Sequence, residues 1–194
     1  LRLAKQHRAE SNTDTSARQA DDSVVSSLQQ LVDAGPRWPY KNQATRAATS
    51  NHYSTLTVEQ ICNEPVEELC NQHAHLHLWT TNTFLPYAFA VIEAWGFTYK
   101  SCFVWVKPQI GIGNYWRVSH EFLLFGIRGG PPFRDKSQRS WIESRRTQHS
   151  RKPDVVRQII ELVSPAPYLE MYGRRALPNS AWTVYGNQVE RRLL

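Results

Sequence analysis

The sequence predicts an α/β fold built on a largely parallel sheet. Three observations carry that prediction. Segments rich in β-branched and aromatic residues alternate along the chain with segments of helical apolar spacing. Breakers stand at the junctions, as at Gly96, Lys107-Pro108, Gly129-Gly130-Pro131-Pro132 and Gly173. At 194 residues, 41% hydrophobic and with seven tryptophans, the chain can bury one full core.

The elements follow in order. Leu1 to Ser23 is polar and mixed in charge, and reads as a mobile N-terminal tail (1–23) ahead of one domain (24–194). Val24, Val25, Leu28, Leu31 and Val32 recur at helical spacing, and Gly35 stands where a C-terminal cap belongs, so Val24 to Val32 is expected to be helical. GPRWPYKNQATRAATSNHY (35–53) has no apolar period after Tyr40 and reads as loop. Its aromatic faces beside Pro36 and Pro39 suit a flat, polar ligand such as a nucleobase. Leu56 to Leu69, with Thr57 as N-cap, is divided by Pro65 into two short helices. Ala74 to Thr81 alternates as a strand does, and Phe84 to Trp95 has helical spacing that stops at Gly96.

Phe97 to Val106 is a second strand, Gln109 to Val118 a glycine-rich aromatic loop, and Glu121 to Ile127 a third strand. Arg134 to Arg151 is strongly basic, with Trp141 and Ile142 its apolar anchors. Pro153 to Val163 is an amphipathic helix with proline at its first turn. Tyr168 to Tyr172 and Ala181 to Gly186 are further short strands, and no internal repeat is visible.

The net charge of +6 and a pI near 9.4 suit a polyanionic partner. Arg134, Lys136, Arg139, Arg145, Arg146, Arg151 and Lys152 are the densest basic run, which fits either phosphate contact or a solvated face. Cys62, Cys70 and Cys102 cannot all pair and show no CxxC spacing, which points to a reducing, cytoplasmic compartment. No apolar run approaches the roughly 20 residues of a membrane span, and no signal-peptide core is present. His73, His75 and His77 alternate on one strand face, but no carboxylate or cysteine pattern accompanies them, so no metal is expected. Gly111-Ile112-Gly113 lacks the rest of a phosphate loop and reads as a substrate-facing loop.

Several segments together resemble the MT-A70 family of S-adenosylmethionine-dependent adenine-N6 methyltransferases. They are GPRWPY with TRAATSNHY, WVKPQIGIGNYWRVSHEFLLFGIRG, HSRKPDVVRQIIELVSPAPYLEMYGRR and WTVYGNQ, in the family's order from Gly35 to Gln188. This chain has GPRW where that family has DPPW. The resemblance implies a Rossmann-like methyltransferase sheet with permuted motif order, the adenine motif first and the cofactor segments last. It implies S-adenosyl-L-methionine as cofactor, held by Lys152, Arg174, Asn187 and Gln188. Pro36, Trp38 and Tyr40 match the catalytic motif, with the Pro36 carbonyl accepting from the reacting amine and Trp38 holding the base. Tyr53, Asn114, Trp116, Arg117 and His120 are the substrate-binding candidates. Arg175-Ala176 stands where relatives have polar His-Asn.

The implied partner is nucleic acid, DNA or RNA, and the implied assembly a homo- or heterodimer. Gly35 cannot supply the motif's carboxylate, a loss of about 2–3 kcal/mol in the transition state, or about two orders of magnitude in rate. If residues 24–32 are helical, the sheet lacks one central strand, and an aspartate restored at 35 would hang from a misplaced loop. A catalytically inactive nucleic-acid-binding paralogue and an interaction module of the same fold are the alternative readings.

Overall fold

The computed structural model describes residues 29–39, 55–111, 113, 115–146, 151–173 and 181–186. Its strands are β1 (Gln29–Ala34), β2 (Cys70–Thr80), β3 (Thr98–Val106), β4 (His120–Arg128), β5 (Trp141–Glu143), β6 (Tyr168–Met171) and β7 (Trp182–Tyr185). The helices among the described residues are α1 (Val58–Cys62), α2 (Val66–Leu69), α3 (Leu85–Ala94) and α4 (Asp154–Val163). All seven strands join one sheet in the order β5-β3-β4-β2-β1-β6-β7. The α/β class and the Rossmann-like arrangement are as the sequence predicts.

One expectation is overturned. Gln29 to Val32 is not helical but opens β1, which lies in the middle of the sheet, parallel to β2 on one side and to β6 on the other. The sheet therefore has its central strand, and the Gly35-Pro36 turn is fed by it. The reason is tertiary. Leu31 faces one core, Val32 and Ala34 the other, and all three are fully buried. Strand pairing on two edges plus burial on two faces outweighs a helical spacing worth a few tenths of a kcal/mol per residue. Residues 24–28 lie outside the described part.

The sheet is the middle of three layers. On one face α1, α2 and α3 bury Ile61, Val66, Val91, Ile92 and Trp95 against Val32, Ala34, Leu76 and Leu78. A capping box at Thr57 and Gln60 starts α1, and Pro65 separates it from α2. On the other face α4 lays Val156 and Ile160 over Leu31, Trp79, Trp105, Leu123 and Trp182. His75 and His77 also face this side, where both rings meet the Ser164 hydroxyl, at 2.9 and 3.0 Å. His73 sits apart and accepts from the Gly130 amide at 3.0 Å. Burial lowers His75 to about 4, with a further push from Arg134, and lowers His77 to about 3, with a further push from His75. Both are neutral wedges in the layer at neutral pH. Among the described residues no cluster of three or more metal-ligating side chains occurs, and no helix is long and apolar enough to cross a membrane.

β4 pairs antiparallel with both β2 and β3, whereas every other neighbouring pair is parallel. Six strands thus end at one edge of the sheet, and β4 begins there.

Candidate functional site at the carboxyl edge of the sheet

In open α/β sheets ligands bind outside the carboxyl ends of the strands, because the connections there diverge and leave a crevice. Here that edge collects Gly35 and Pro36 after β1, Lys107 after β3, His120 and Glu121 at the start of β4, Gly173 after β6 and Gly186 after β7. Lys152 joins them from the turn just before α4.

The β1 turn is built from below. Pro36 and Trp38 are buried. The Trp38 ring is 4% exposed, stacks on Phe84 with centroids 5.3 Å apart, and donates its indole N–H to the Trp79 carbonyl at 3.1 Å. Trp38 therefore fixes the turn against β2 and α3 with one ring face already covered. The Arg37 carbonyl accepts from the Leu56 amide at 3.0 Å, which ties the far end of the following segment back to the turn. Gly35 leaves open space. A Cβ built there would meet only the Lys152 side chain, at 4.0 Å, and the residue is outside the left-handed region.

Lys152 lies over the Trp79 ring at 4.8 Å and donates to Glu121 at 2.5 Å. Glu121 also receives Lys107, which lies over Trp105 at 4.5 Å. Two ammonium groups thus share one carboxylate on a floor of two tryptophans, themselves edge to face at 6.2 Å. Burial by itself would raise Glu121, but Lys152 and Lys107 hold it below the usual carboxylate range. Lys107 is lowered by burial, with Glu121 opposing. The cluster carries one net positive charge.

Beside it, on the same face as Gly35, is Asp33. Its side chain is 7% exposed, and its Oδ1 has no hydrogen-bond partner among the described residues. It pairs in register with Glu170 on β6. Burial and then Glu170 raise its pKa to about 7, against the opposing pull of Arg157, Lys152 and the Trp79 indole. Arg157 donates to Glu170 at 2.8 Å and lies 5.5 Å over the Trp182 ring. At the end of β6, Tyr172 takes a left-handed φ of 64°, a strained turn that brings Gly173 under β7. The Gly173 amide then donates to the Tyr185 carbonyl at 2.9 Å, and a Cβ at Gly186 would meet the Gly173 carbonyl at 2.0 Å.

The β3–β4 connection rises from the same edge. Gly111 donates to the Val118 carbonyl at 2.7 Å, and added Cβ atoms at Gly111 and Gly113 would strike backbone at 2.8 and 2.1 Å. These glycines allow the loop to fold back on itself. Tyr115 and Trp116 stand 95% and 86% exposed, beside Arg117. His120 meets Asn82 at 3.3 Å and packs on Phe122.

The structure therefore brings Pro36, Trp38, Lys152 and His120 to one edge, with Trp116 and Arg117 on the loop above it. Tyr40, Tyr53, Asn114, Arg174, Asn187 and Gln188 lie outside the described residues. Sequence reasoning did not single out Lys107, Glu121, Glu170 or Arg157. Their signal was positional, since a charged residue at each strand or helix end of an α/β sheet faces the crevice.

The family model that matches is MT-A70, over residues 29–188. The chain is 29% identical over 167 residues to the type II methyltransferase M.MunI of Mycoplasma sp, covering 75% of this chain and 72% of that one. It is 27% identical over 146 residues to a putative N(6)-adenosine-methyltransferase MT-A70-like protein of Medicago truncatula, 71% of this chain and 24% of that one. It is also 27% identical over 151 residues to the human N(6)-adenosine-methyltransferase catalytic subunit METTL3, 71% of this chain and 25% of that one. The chain thus spans about a quarter of these two eukaryotic relatives.

Proposed function

Since the chain belongs to the MT-A70 family, we propose that it is an S-adenosylmethionine-dependent methyltransferase acting on N6 of adenine in DNA or RNA. The observation that carries this reading is the convergence, at one sheet edge, of the β1 turn with Lys152 and the orphaned Asp33 carboxylate. The charge set fits the cofactor. An ammonium suits its carboxylate, a buried anion suits its sulfonium, and the space at Gly35 leaves both reachable.

S-adenosylmethionine supplies the methyl group on a positively charged sulfur. The protein's task is then to bind, orient and exclude water. Lys152, already held by Glu121 and Trp79, is the point charge for the methionine carboxylate. Arg174, Asn187 and Gln188, just beyond the ends of β6 and β7, are assigned the remaining cofactor contacts. Pro36 offers its carbonyl to the adenine amine, and Trp38 makes that carbonyl's position rigid from beneath. The Tyr115-Trp116-Arg117 loop offers stacking faces and a cation to a strand whose target base is unstacked. The three unpaired cysteines support a reducing, cytoplasmic setting.

The test is direct. Purified protein is incubated with methyl-labelled cofactor and with single- and double-stranded DNA and RNA containing adenine. Label retained as N6-methyladenine is the expected product. Cofactor binding with label on no substrate would instead indicate a nucleic-acid-binding member without transfer.

A further inference from the structure

Asp33 is the one buried carboxylate of this edge whose oxygen lacks a partner among the described residues. Glu121 is saturated by two lysines and Glu170 is engaged by Arg157. Asp33 also lies directly behind Gly35, where a strand's alternation puts residues two apart on one face, roughly 7 Å from each other. Both residues look toward Lys152. With no side chain at 35, the position ahead of Asp33 is open as far as Lys152.

Taking the proposed function as the starting point, we propose that Asp33 is the charge-balancing residue of this site, held as an anion while the sulfonium cofactor is bound and free to take up a proton again once the neutral thioether product has replaced it. The groups that face Asp33 make this feasible. On β2 the neighbours are His77, neutral at working pH, and Trp79. On β6 it is Glu170, which repels the anion. From α4 and the turn before it come Arg157 and Lys152, each already tied to a carboxylate. Asp154 joins the cluster through its ion pair with Arg157. Burial and these neighbours leave Asp33 half-protonated near pH 7, so one extra positive charge nearby decides its state.

The balance closes. As the N6–methyl bond forms, the sulfur–methyl bond breaks and its electron pair stays on sulfur. The amine loses one proton, of which Asp33 takes up about half near pH 7 and solvent the rest. The loss of the sulfonium charge is then offset in part by the proton that Asp33 regains. Discrimination follows from the same linkage, since a half-protonated Asp33 binds the sulfonium more tightly as pH rises and is indifferent to the thioether.

The experiment is calorimetric titration of the full chain with S-adenosylmethionine and with S-adenosylhomocysteine, at pH 6 and pH 8, in buffers of different ionisation enthalpy. Asp33→Asn is the reference in which any titration of the ligands themselves cancels. The expected result is release of about half a proton on sulfonium binding at pH 7 and none on thioether binding. Relative to Asp33→Asn, the wild-type preference for the sulfonium should rise about tenfold from pH 6 to pH 8. Equal proton exchange with both ligands and a pH-independent preference would overturn the proposal and leave the proposed function standing. Failure of either ligand to bind at any pH would overturn both. Should Asp33→Asn not fold, the wild-type proton counts at pH 7 still decide.

Discussion

Gly35→Asp is the most informative substitution in this chain. The space is there, since the nearest atom to a new Cβ is the Lys152 Cε at 4.0 Å, and the backbone needs no left-handed φ. The supporting strand is there as well, because β1 runs to Ala34 between β2 and β6. An aspartate at 35 therefore projects from an anchored turn toward Lys152. It adds a charge-assisted acceptor for the adenine amine, worth about 2–3 kcal/mol in the transition state, or about two orders of magnitude in rate. Stability should change by no more than about 1 kcal/mol, since chain stiffening offsets the cost of a third acid near Asp33 and Glu170. The assay is transfer of labelled methyl to an adenine-containing oligonucleotide, with Gly35→Ala as the control that fills the space without a carboxylate. A Gly35→Asp protein that binds cofactor as the wild type does, yet transfers no faster than Gly35→Ala, would refute the placement of the adenine amine at this turn.

Three further outcomes can be measured. Near pH 5.5 His75 and His77 bind protons only when unfolded, while Asp33 binds one only when folded, so stability should rise with pH by roughly 1 kcal/mol per unit in the wild type and roughly 2.5 in Asp33→Asn, read from urea midpoints. Trp38→Ala removes the Phe84 stack and the bond to the Trp79 carbonyl and should cost about 3–5 kcal/mol, against about 1 kcal/mol for Trp38→Phe; equal losses would mean the turn is held elsewhere. Trp116→Ala, at an 86% exposed position, should leave the urea midpoint unchanged and weaken single-stranded nucleic-acid binding by about 1–3 kcal/mol in a fluorescence titration.

Most of the sheet was legible in the sequence because its strands announce themselves locally. β2 alternates, β3 and β4 carry β-branched and aromatic residues, and β6 and β7 run into glycines. β1 was hidden because its apolar content is Leu31, Val32 and Ala34, too short to set a period, and upstream valines completed a helical one. What makes it a strand is the pair of neighbours it separates, 36 and more residues away in sequence at their nearest ends. β5 is three residues inside a basic run, and only the edge of β3 reveals it. The site was legible where a motif names a residue, as at Pro36, Trp38 and Lys152. Asp33 was legible only as a carboxylate two residues from the motif position, able to replace the missing one if the backbone were re-routed; its place beside the cations was not, because that depends on burial, on Glu170 across the register and on an empty side-chain position two residues ahead.

The reversed direction of β4 has a consequence for how such a site can change. The connection from Lys107 to Ser119 leaves the sheet and returns to it at the same edge, its two stems joined by the Lys107 amide donating to the Ser119 carbonyl. Lys107 and Glu121, at the roots of those stems, are locked to each other and to Lys152. Everything above the roots can lengthen, shorten or alter its aromatics without moving the cations below. On the proposed function, substrate choice would be carried on a detachable brim and cofactor chemistry in the bowl.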